Sequence, residues 1–309
     1  MVKCSICRQN EAFYFREYSG EKLCKICFLD SIEGKVRTTI SKHKMFEIDD
    51  QIAIAVSGGK DSVSLLHILL KIEADFPKTT LCAITVDEGI RGYRDEALKI
   101  AAENCRQLGI KHFTVSFKEL FGYTLDDIIE RTYREKITPC TYCGVLRRRA
   151  LNVAAKQLGV NKIATAHTLD DEIQTFLLNI FHGDIARITR SNFPSHNITM
   201  NLVQRVKPFC EVMERESALY AFIKRIPFQE MPCPYAGEAL RNDVRNTLNR
   251  LEEKHPGSKY TIYRSMEKIQ KAIETSVKGL PVKKCEKCGE ITNAEICQTC
   301  QILQKIETL

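Results

Sequence analysis

The chain reads Gln51-Ile52-Ala53-Ile54-Ala55-Val56, followed directly by Ser57-Gly58-Gly59-Lys60-Asp61-Ser62. The apolar run ending at Val56 predicts a buried strand, and the spacing of apolar residues after Asp61 predicts a helix. The glycine turn between them brings backbone N–H groups and a helix N-terminus to one point, which favours an anion such as phosphate. Its glycine spacing differs from the Walker pattern. The alternative is an ordinary tight turn.

Composition is typical of a soluble globular protein with one central domain and appendages. The 309 residues have a net charge of +7, an apolar fraction of 44% and a charged fraction of 28%. No apolar run approaches the roughly 20 residues needed to span a bilayer, and the N-terminus has no signal-peptide core. We therefore expect a cytoplasmic protein without a membrane partner. The basic charge weakly favours a polyanionic partner.

Short apolar runs alternate with amphipathic stretches through the middle of the chain, which predicts an α/β fold with a parallel sheet covered by helices. The predicted strands are Ile52–Val56, Leu81–Val86, His112–Ser116 and Lys162–Ala166. The predicted helices are Ser62–Ile72, Arg94–Leu108, Leu125–Lys136, Val145–Leu158 and Asp170–Phe181. Ligands of such sheets bind beyond the carboxyl ends of the strands, which is where the glycine turn lies.

Three acidic residues, Asp170, Asp171 and Glu172, open the helix that follows the fourth predicted strand. One interpretation is that they complement the helix dipole as caps. The other is that their oxygens bind Mg²⁺ beside a nucleotide, and the position at a strand end favours it. His167, just before them, is either an acid–base group or a structural histidine.

Eight of the fourteen cysteines form paired CxxC motifs near the two ends of the chain. Four soft sulfur ligands at this spacing predict a tetrahedral zinc site at each end. We expect these sites to fold segments too short to have a core of their own, and nearby lysines could also contact phosphates. The first site comprises Cys4, Cys7, Cys24 and Cys27, and the second Cys285, Cys288, Cys297 and Cys300.

Three further cysteines belong to neither terminal pair. Cys140 and Cys143 form a CxxC motif that precedes three arginines, and Cys233 lies between two prolines. Arginines and a helix N-terminus are expected to lower the pKa of the CxxC thiols. From the residues alone, three interpretations stay open: three ligands of a cubane iron–sulfur cluster with one open iron, a disulfide and persulfide relay, or a third zinc site.

The glycine turn, the central CxxC, the Pro-Cys-Pro cysteine and the terminal zinc motifs together resemble the tRNA 2-thiouridine synthetases of the TtuA/NcsA type, archaeal relatives of the cytosolic wobble-uridine thiolases. The resemblance covers nearly the whole chain. It implies a pyrophosphatase-loop domain, of the adenine nucleotide alpha hydrolase-like fold, flanked by zinc modules. The implied units are an N-terminal zinc module (1–35), an ATP-binding domain (36–215), a helical tRNA-facing extension (216–280) and a C-terminal zinc module (281–309).

The resemblance also assigns the site residues. The implied loop that binds the ATP phosphates comprises Ser57, Gly58, Gly59, Lys60, Asp61 and Ser62. The implied residues whose backbone surrounds the adenosine and precedes this loop are Ala55, Val56, Val86 and Ala166. Arg147 matches a basic position that contacts ATP. Cys140, Cys143 and Cys233 match the ligands of a 4Fe-4S cluster. Family members carry a lysine where this chain has Arg149, so no lysine role is carried over to that position.

The implied reaction is 2-thiolation of a tRNA uridine. ATP adenylates the C2 oxygen and releases pyrophosphate, while Lys60 and Mg²⁺ offset the phosphate charge. Asp61, with Asp170 or Asp171, binds the metal, and Asp61 is also a candidate proton carrier. Sulfur then replaces the oxygen and AMP departs. The open iron presents hydrosulfide, supplied by a ubiquitin-like carrier protein or by free sulfide.

A predicted helix over 238–253 carries Arg241, Arg245 and Arg250, whose spacing is expected to keep them near one face as a track for the tRNA backbone. Tyr142 and Tyr235 are candidates to stack on the unstacked base. The content of Asn, Gln and Cys is unlike that of hyperthermophile proteins and favours the wobble uridine over a T-loop uridine. The resemblance also implies a homodimer.

Two rival functions are considered alongside thiolation. A related loop enzyme that adenylates a tRNA cytidine and attaches lysine has no need of three further cysteines. A non-catalytic adaptor, with zinc modules bridging RNA or protein partners, is disfavoured by the intact loop at 57–62.

Overall fold

The computed structural model describes residues 2–76, 78–135, 137–190, 203–236, 239–276 and 283–308. Within these ranges the strands are β1 (Tyr14–Arg16), β2 (Glu21–Leu23), β3 (Gln51–Ala55), β4 (Thr80–Asp87), β5 (Lys111–Ser116), β6 (Lys162–Ala164), β7 (Gln204–Val206), β8 (Lys283–Lys284) and β9 (Ile291–Thr292).

The helices of the same ranges are α1 (Lys25–Lys42), α2 (Lys60–Glu73), α3 (Arg94–Gln107), α4 (Phe117–Phe121), α5 (Leu125–Arg131), α6 (Pro139–Gln157), α7 (Leu169–Phe181), α8 (Ile185–Arg190), α9 (Glu214–Lys224), α10 (Ala239–Lys254), α11 (Ser258–Ser276) and α12 (Gln298–Thr308). None of these helices is both long enough and apolar enough to cross a membrane.

A parallel sheet of five strands forms the centre, in the order β5-β4-β3-β6-β7. Ile52 of β3 lies opposite Leu81 of β4 on one side and Lys162 of β6 on the other. The chain adds strands outward from β3 on one side and then crosses to its other side. The strand order therefore reverses next to β3, where sheets of this kind bind their ligands.

Side chains of successive residues on β3 pack into two different apolar cores. Ile52 and Ile54 join the core that contains α2, α7 and α9, whereas Ala53 joins the core that contains α5 and α6. The sheet is thus buried on both faces, which explains why its strands are continuous apolar runs. The α/β class predicted from the sequence is confirmed.

All four predicted strands form, but three other features differ from the sequence prediction. β7 was not predicted, because a three-residue edge strand gives too short a pattern. α6 begins at Pro139 instead of Val145, since proline suits the first turn of a helix and the CxxC motif continues it. α5 ends at Arg131 instead of Lys136, a residue that lies outside the described ranges.

Glu216 of α9 attaches the segment with the N-terminal CxxC motifs to the central domain. Its buried carboxylate accepts hydrogen bonds from Arg16 Nε at 2.7 Å, Tyr18 Oη at 3.0 Å and Lys35 Nζ at 3.3 Å. A buried carboxylate is tolerated only with such partners, so these bonds fix β1, β2 and α1 against α9.

Glu290, between the two C-terminal CxxC motifs, pairs with Arg149 and Lys156 of α6. The side chain of Ile306 on α12 is fully buried in the core that contains α6. The C-terminal segment therefore packs along the helix that carries Cys140 and Cys143. The division of the chain into four units stays a prediction.

We predict that Ile306→Ala loosens α12 from α6, because it leaves a cavity in a packed core at a cost of about 2–5 kcal/mol. The expected result is faster amide hydrogen exchange in α12 and a lower thermal midpoint. Glu307→Ala, at the exposed neighbouring position, is the control. Equal exchange in both variants would contradict the packing role of Ile306.

Candidate active site

The turn between β3 and α2 is shaped by one glycine and two serines. Gly58 has a φ of +89°, and a Cβ at this residue would lie 2.5 Å from the carbonyl oxygen of Ala97. Ser62 Oγ accepts from the N–H of Ser57 at 3.0 Å and donates to the carbonyl of Gly59 at 2.9 Å. Gly59, the N-cap of α2, offers no side-chain acceptor, which leaves the first-turn N–H groups for a bound anion.

A cavity of about 750 Å³ lies at the carboxyl ends of β3, β4 and β6, between α6 and α7. All residues that the resemblance assigns to ATP line it except Gly58 and Lys60: Ala55, Val56, Ser57, Gly59, Asp61, Ser62, Val86, Arg147 and Ala166. Its volume suits a ligand the size of a nucleotide. Its walls also include His167, whose pKa is lowered by burial.

Lys60 lies outside the cavity lining because two carboxylates hold its ammonium group. Lys60 Nζ is 2.9 Å from Asp61 Oδ2 and 2.9 Å from Glu214 Oε1. Although burial opposes it, these two partners raise the pKa of Lys60. Burial raises the pKa of Asp61, an effect that Lys60 partly offsets. Asp61 Oδ1 is buried and has no hydrogen-bond partner in the described chain, so this oxygen fits a cation such as Mg²⁺.

The two aspartates at the start of α7 have different surroundings. Asp171 lines the cavity, and its Oδ2 accepts from the N–H and the hydroxyl of Thr168, which caps the helix. Asp170 does not line the cavity: its Oδ1 pairs with Lys259, and its Oδ2 accepts from the N–H of Glu214 at 2.8 Å. Both oxygens of Asp170 are therefore engaged, which favours Asp171 of the two expected alternatives as the metal ligand beside Asp61.

Glu88, directly after β4, links the glycine turn to a central cysteine. Arg94 donates to the Ser57 carbonyl at 2.7 Å and lies 2.7 Å from Glu88 Oε2. Arg147 Nε lies 2.8 Å from Glu88 Oε1, and Arg147 Nη2 donates to Cys143 Sγ at 2.9 Å. Glu88 is 3% exposed. Charge-assisted contacts thus run without a break from the turn to Cys143.

Contacts at the start of α6 join the segments that carry Cys140, Cys143 and Cys233. Cys140 Sγ, which is exposed, donates to the carbonyl of Tyr235 at 3.4 Å, and this bond joins α6 to the loop of Cys233. Cys233 packs against the core that contains Cys143. Burial raises the pKa of Cys143 despite the attraction of Arg147, so the expected lowering is wrong for this thiol.

Each terminal set of four cysteines brings its sulfur atoms within 4.8 Å of one another, as a tetrahedral ion requires. The Cys297 N–H donates to Cys285 Sγ at 3.2 Å, and this bond, together with the N–H groups of Lys287 and Cys288, lowers the pKa of Cys285 to about 6. These sulfurs fit Zn²⁺. Among the cysteines of the described chain, only these two sets close to that distance. The wider spacing of the central three disfavours a single zinc ion there.

The arginines of α10 do not share one face. Arg241 lines the cavity and donates to Thr175 Oγ1 at 3.3 Å, and Arg245 Nη2 lies 3.9 Å from Glu214 Oε2. Arg250 is exposed and, nine residues after Arg241, points to the opposite side of a helix with 3.6 residues per turn. The expected common track is therefore wrong for Arg250.

The two candidate stacking tyrosines also differ in exposure. Tyr142 is only 2% exposed and belongs to the core, so it cannot stack on a base in this structure. Tyr235 is half-buried, and its hydroxyl donates to Asp126 Oδ1 at 2.8 Å. Tyr235 is the one of the pair whose ring lies near the surface.

Comparisons with known proteins agree with this geometry. Residues 31–252 match the PP-loop domain family. The chain is 35% identical to the tRNA 2-thiolation protein NcsA of Haloferax volcanii, with complete coverage of both chains. It is 37% identical to the cytoplasmic tRNA 2-thiolation protein 1 of Chlamydomonas reinhardtii, over 97% of this chain and 84% of the relative. The chain belongs to the tRNA 2-thiolation protein family.

A solved structure of this family extends the match to three dimensions. The U34-tRNA thiolase NcsA from Methanococcus maripaludis, solved with its 4Fe-4S cluster, is 31% identical in sequence and has a TM-score of 0.86. The match covers 99% of this chain and 96% of the thiolase. Similarity at this level supports a common architecture from the N-terminal CxxC motifs to the C-terminal ones.

Four residues of this site were not assigned a role from the sequence. Glu88, Arg94, Glu214 and Lys259 all contact residues that were predicted, yet none was assigned a role. Glu88 carried a usable signal, because it follows a strand at its carboxyl end. Glu214 and Lys259 carried none, since only the folded chain brings α9 and α11 to the turn.

We predict that Gly58→Ala weakens binding of an ATP analogue by tenfold or more, because the new Cβ displaces the turn from Ala97. Gly92→Ala is the matched control: Gly92 also has a positive φ of +71°, but a Cβ there meets no atom within 4 Å. The two affinities, measured by calorimetry, separate the steric clash from backbone strain. Equal losses would mean that the close approach at Gly58 is unimportant.

We predict that Glu214→Gln tightens binding of the same analogue by about fivefold, as expected for loss of a half-exposed ion pair of about 1 kcal/mol. A phosphate at the turn competes with Glu214 for the Lys60 ammonium, and the variant removes that competition. In a Lys60→Met background the substitution should have no effect, which excludes a general charge effect. Weaker binding in Glu214→Gln would show that Glu214 instead orients Lys60 for phosphate.

Proposed function

We propose that this chain is an ATP-dependent tRNA sulfurtransferase that replaces the C2 oxygen of a uridine with sulfur. The observation that carries the proposal is the continuous contact from Ser57 through Arg94, Glu88 and Arg147 to Cys143. It joins the turn at the cavity to Cys143, which directly precedes the cavity-lining Gly144. Activation by ATP and delivery of sulfur both need access to the same atom, and this proximity supports the proposal.

In the first step the uridine C2 oxygen attacks the α-phosphorus of ATP and pyrophosphate leaves. The first-turn N–H groups of α2 would hold the phosphates, and Lys60 would move from Glu214 to offset the charge on the leaving pyrophosphate. Arg147, at the cavity wall, would contact the α-phosphate. The apolar backbone at Ala55, Val86 and Ala166 would surround the adenosine.

Asp61 and Asp171 would hold Mg²⁺ in the cavity. Both residues line it, and the unpartnered buried oxygen of Asp61 is the donor that supports this assignment. Held by these two carboxylates, the ion would supply positive charge that stabilises the phosphates during the displacement. Asp170 is left out, because Lys259 and the Glu214 N–H already occupy its oxygens.

Cys140, Cys143 and Cys233 would hold a 4Fe-4S cluster. Three thiolates around a half-buried site fit this group, which would supply a fourth position able to bind sulfur. The donation from Arg147 to Cys143 Sγ would stabilise negative charge on that sulfur. Two Zn²⁺ ions would occupy the terminal sets of cysteines and serve the fold.

In the second step a hydrosulfide attacks C2 of the adenylated uridine, and AMP departs with the former C2 oxygen. A ubiquitin-like carrier protein or free sulfide would supply the sulfur. The substrate would be the anticodon wobble uridine, in keeping with the U34 specificity in the name of the Methanococcus maripaludis protein. We place this activity in the cytoplasm and propose a homodimer.

We predict that Asp61→Asn lowers tRNA-dependent pyrophosphate release on the order of 100-fold, because it removes a metal ligand from the first step.

Cys140→Ser is expected to keep pyrophosphate release and to lose thiolated nucleoside, detected by mass spectrometry. It should also lose the thiolate-to-iron absorbance of anaerobically purified protein. Asp95→Asn, at an exposed acidic residue of α3, is the control.

Three results would count against the proposal. Absence of pyrophosphate release from the unaltered chain with ATP and tRNA would favour the non-catalytic adaptor. Thiolation by an iron-free Cys140→Ser variant would overturn the proposal that a cluster is required. If active, iron-free protein carries trapped sulfane sulfur on one of the three central cysteines, that result would favour the persulfide route over the cluster.

A further inference from the structure

The basic residues around the cavity fall into two groups, those with a carboxylate partner and those without. Arg94 and Arg147 share Glu88, and Lys207 pairs with Glu172 at 2.7 Å. Arg148 of α6, Arg205 of β7 and Arg241 of α10 also line the cavity. In the described part of the chain none of these three guanidinium groups lies within 4.0 Å of a carboxylate oxygen, and Arg241 instead donates to Gln174 and Thr175.

Arg205 is held in place by neutral oxygens only. Its Nη2 donates to the carbonyl of Arg148 at 3.0 Å and to Asn152 Oδ1 at 2.7 Å, while its buried Nε has no partner among the described residues. Glu290 attracts Arg205 only at longer range, since its carboxylate already pairs with Arg149 and Lys156. The guanidinium is thus fixed in position and keeps an unused donor.

Arg148 is connected to Arg205 through its backbone, because its carbonyl accepts from Arg205 Nη2. A Cβ built on Gly144 would be 3.5 Å from Arg148 Nη1, so the guanidinium lies beside Gly144, the residue after Cys143. Burial lowers the pKa of Arg205 to about 10, and Arg148 adds to this effect. Two neighbouring cations without counter-charge are costly in a partly buried site, and a bound anion relieves that cost.

We propose that Arg148 and Arg205 form a subsite for a phosphodiester group of the tRNA backbone, next to the uridine that enters the cavity. The proposal rests on the function proposed above and adds the contact that places the nucleotide near the cysteines. A guanidinium group presents several N–H donors in one plane, an arrangement that phosphate oxygens accept.

The position of the pair favours tRNA over the ATP triphosphate. β7 is two strands from β3, which carries the glycine turn, and two strand spacings are about 10 Å. The triphosphate is expected at the turn and at the N-terminus of α2. Arg148 is exposed, so its side of the cavity is open to a large ligand.

The test uses the full-length, metal-loaded chain with Arg148→Gln, Arg205→Gln and the double variant. The probes are an unmodified tRNA transcript at several salt concentrations and an ATP analogue that resists cleavage between the α- and β-phosphates. Arg187→Gln is the matched control, because Arg187 lies near Arg148 but pairs with Asp184 at 3.1 Å.

We expect the double variant to bind tRNA at least tenfold more weakly, as for loss of charge-assisted hydrogen bonds. The slope of log affinity against log salt should also fall by about 1 to 2. The control should keep the slope of the unaltered chain, and binding of the ATP analogue should change less than twofold, which also shows that the variants are folded.

An unchanged tRNA affinity and slope in the double variant would overturn the subsite while leaving the proposed function intact. A loss confined to the ATP analogue would also overturn it, because the anion would then belong to the nucleotide. Failure of the proposed function would give a different result from failure of the subsite. The unaltered chain would then bind tRNA without thiolating it, and the effect of the two arginine substitutions on tRNA binding would still be measurable.

Discussion

The site depends on one buried carboxylate, Glu88, that is shared by two arginines. Glu88 is only 3% exposed, and a buried carboxylate is stable only beside groups of opposite charge. The positions of Arg94 and Arg147 are therefore fixed together with that of Glu88. One arginine holds the carbonyl of Ser57 and the other reaches Cys143. The shape of the phosphate-binding turn and the surroundings of Cys143 therefore depend on the same ion pairs.

Most of the fold and much of the site could be predicted because their signals are local. The apolar runs of β3 and β4, the glycine turn at 57–62 and the CxxC spacings each lie within a few consecutive residues. Parallel topology then brings strand ends to one edge of the sheet, which is why Asp61, Arg147 and Asp171 line one cavity.

What could not be predicted depends on contacts between residues distant in sequence. Asp170 and Asp171 are adjacent, yet Lys259 pairs with Asp170 and turns its carboxylate away from the cavity. The three arginines of α10 were expected on one face, but 3.6 residues per turn puts Arg250 opposite Arg241. Cys143 has a raised pKa because burial, which spacing does not report, outweighs the nearby Arg147.

The turn at 57–62 also has a consequence for the order in which the site appears during synthesis. The carbonyl of Gly58 accepts from the N–H of Gln229 at 2.9 Å, and Lys60 is held by Glu214. Residues made early are thus held by residues made much later. A nascent chain that ends before α9 has the loop sequence but not the contacts that shape it, so the loop takes its final conformation only after synthesis has passed Gln229.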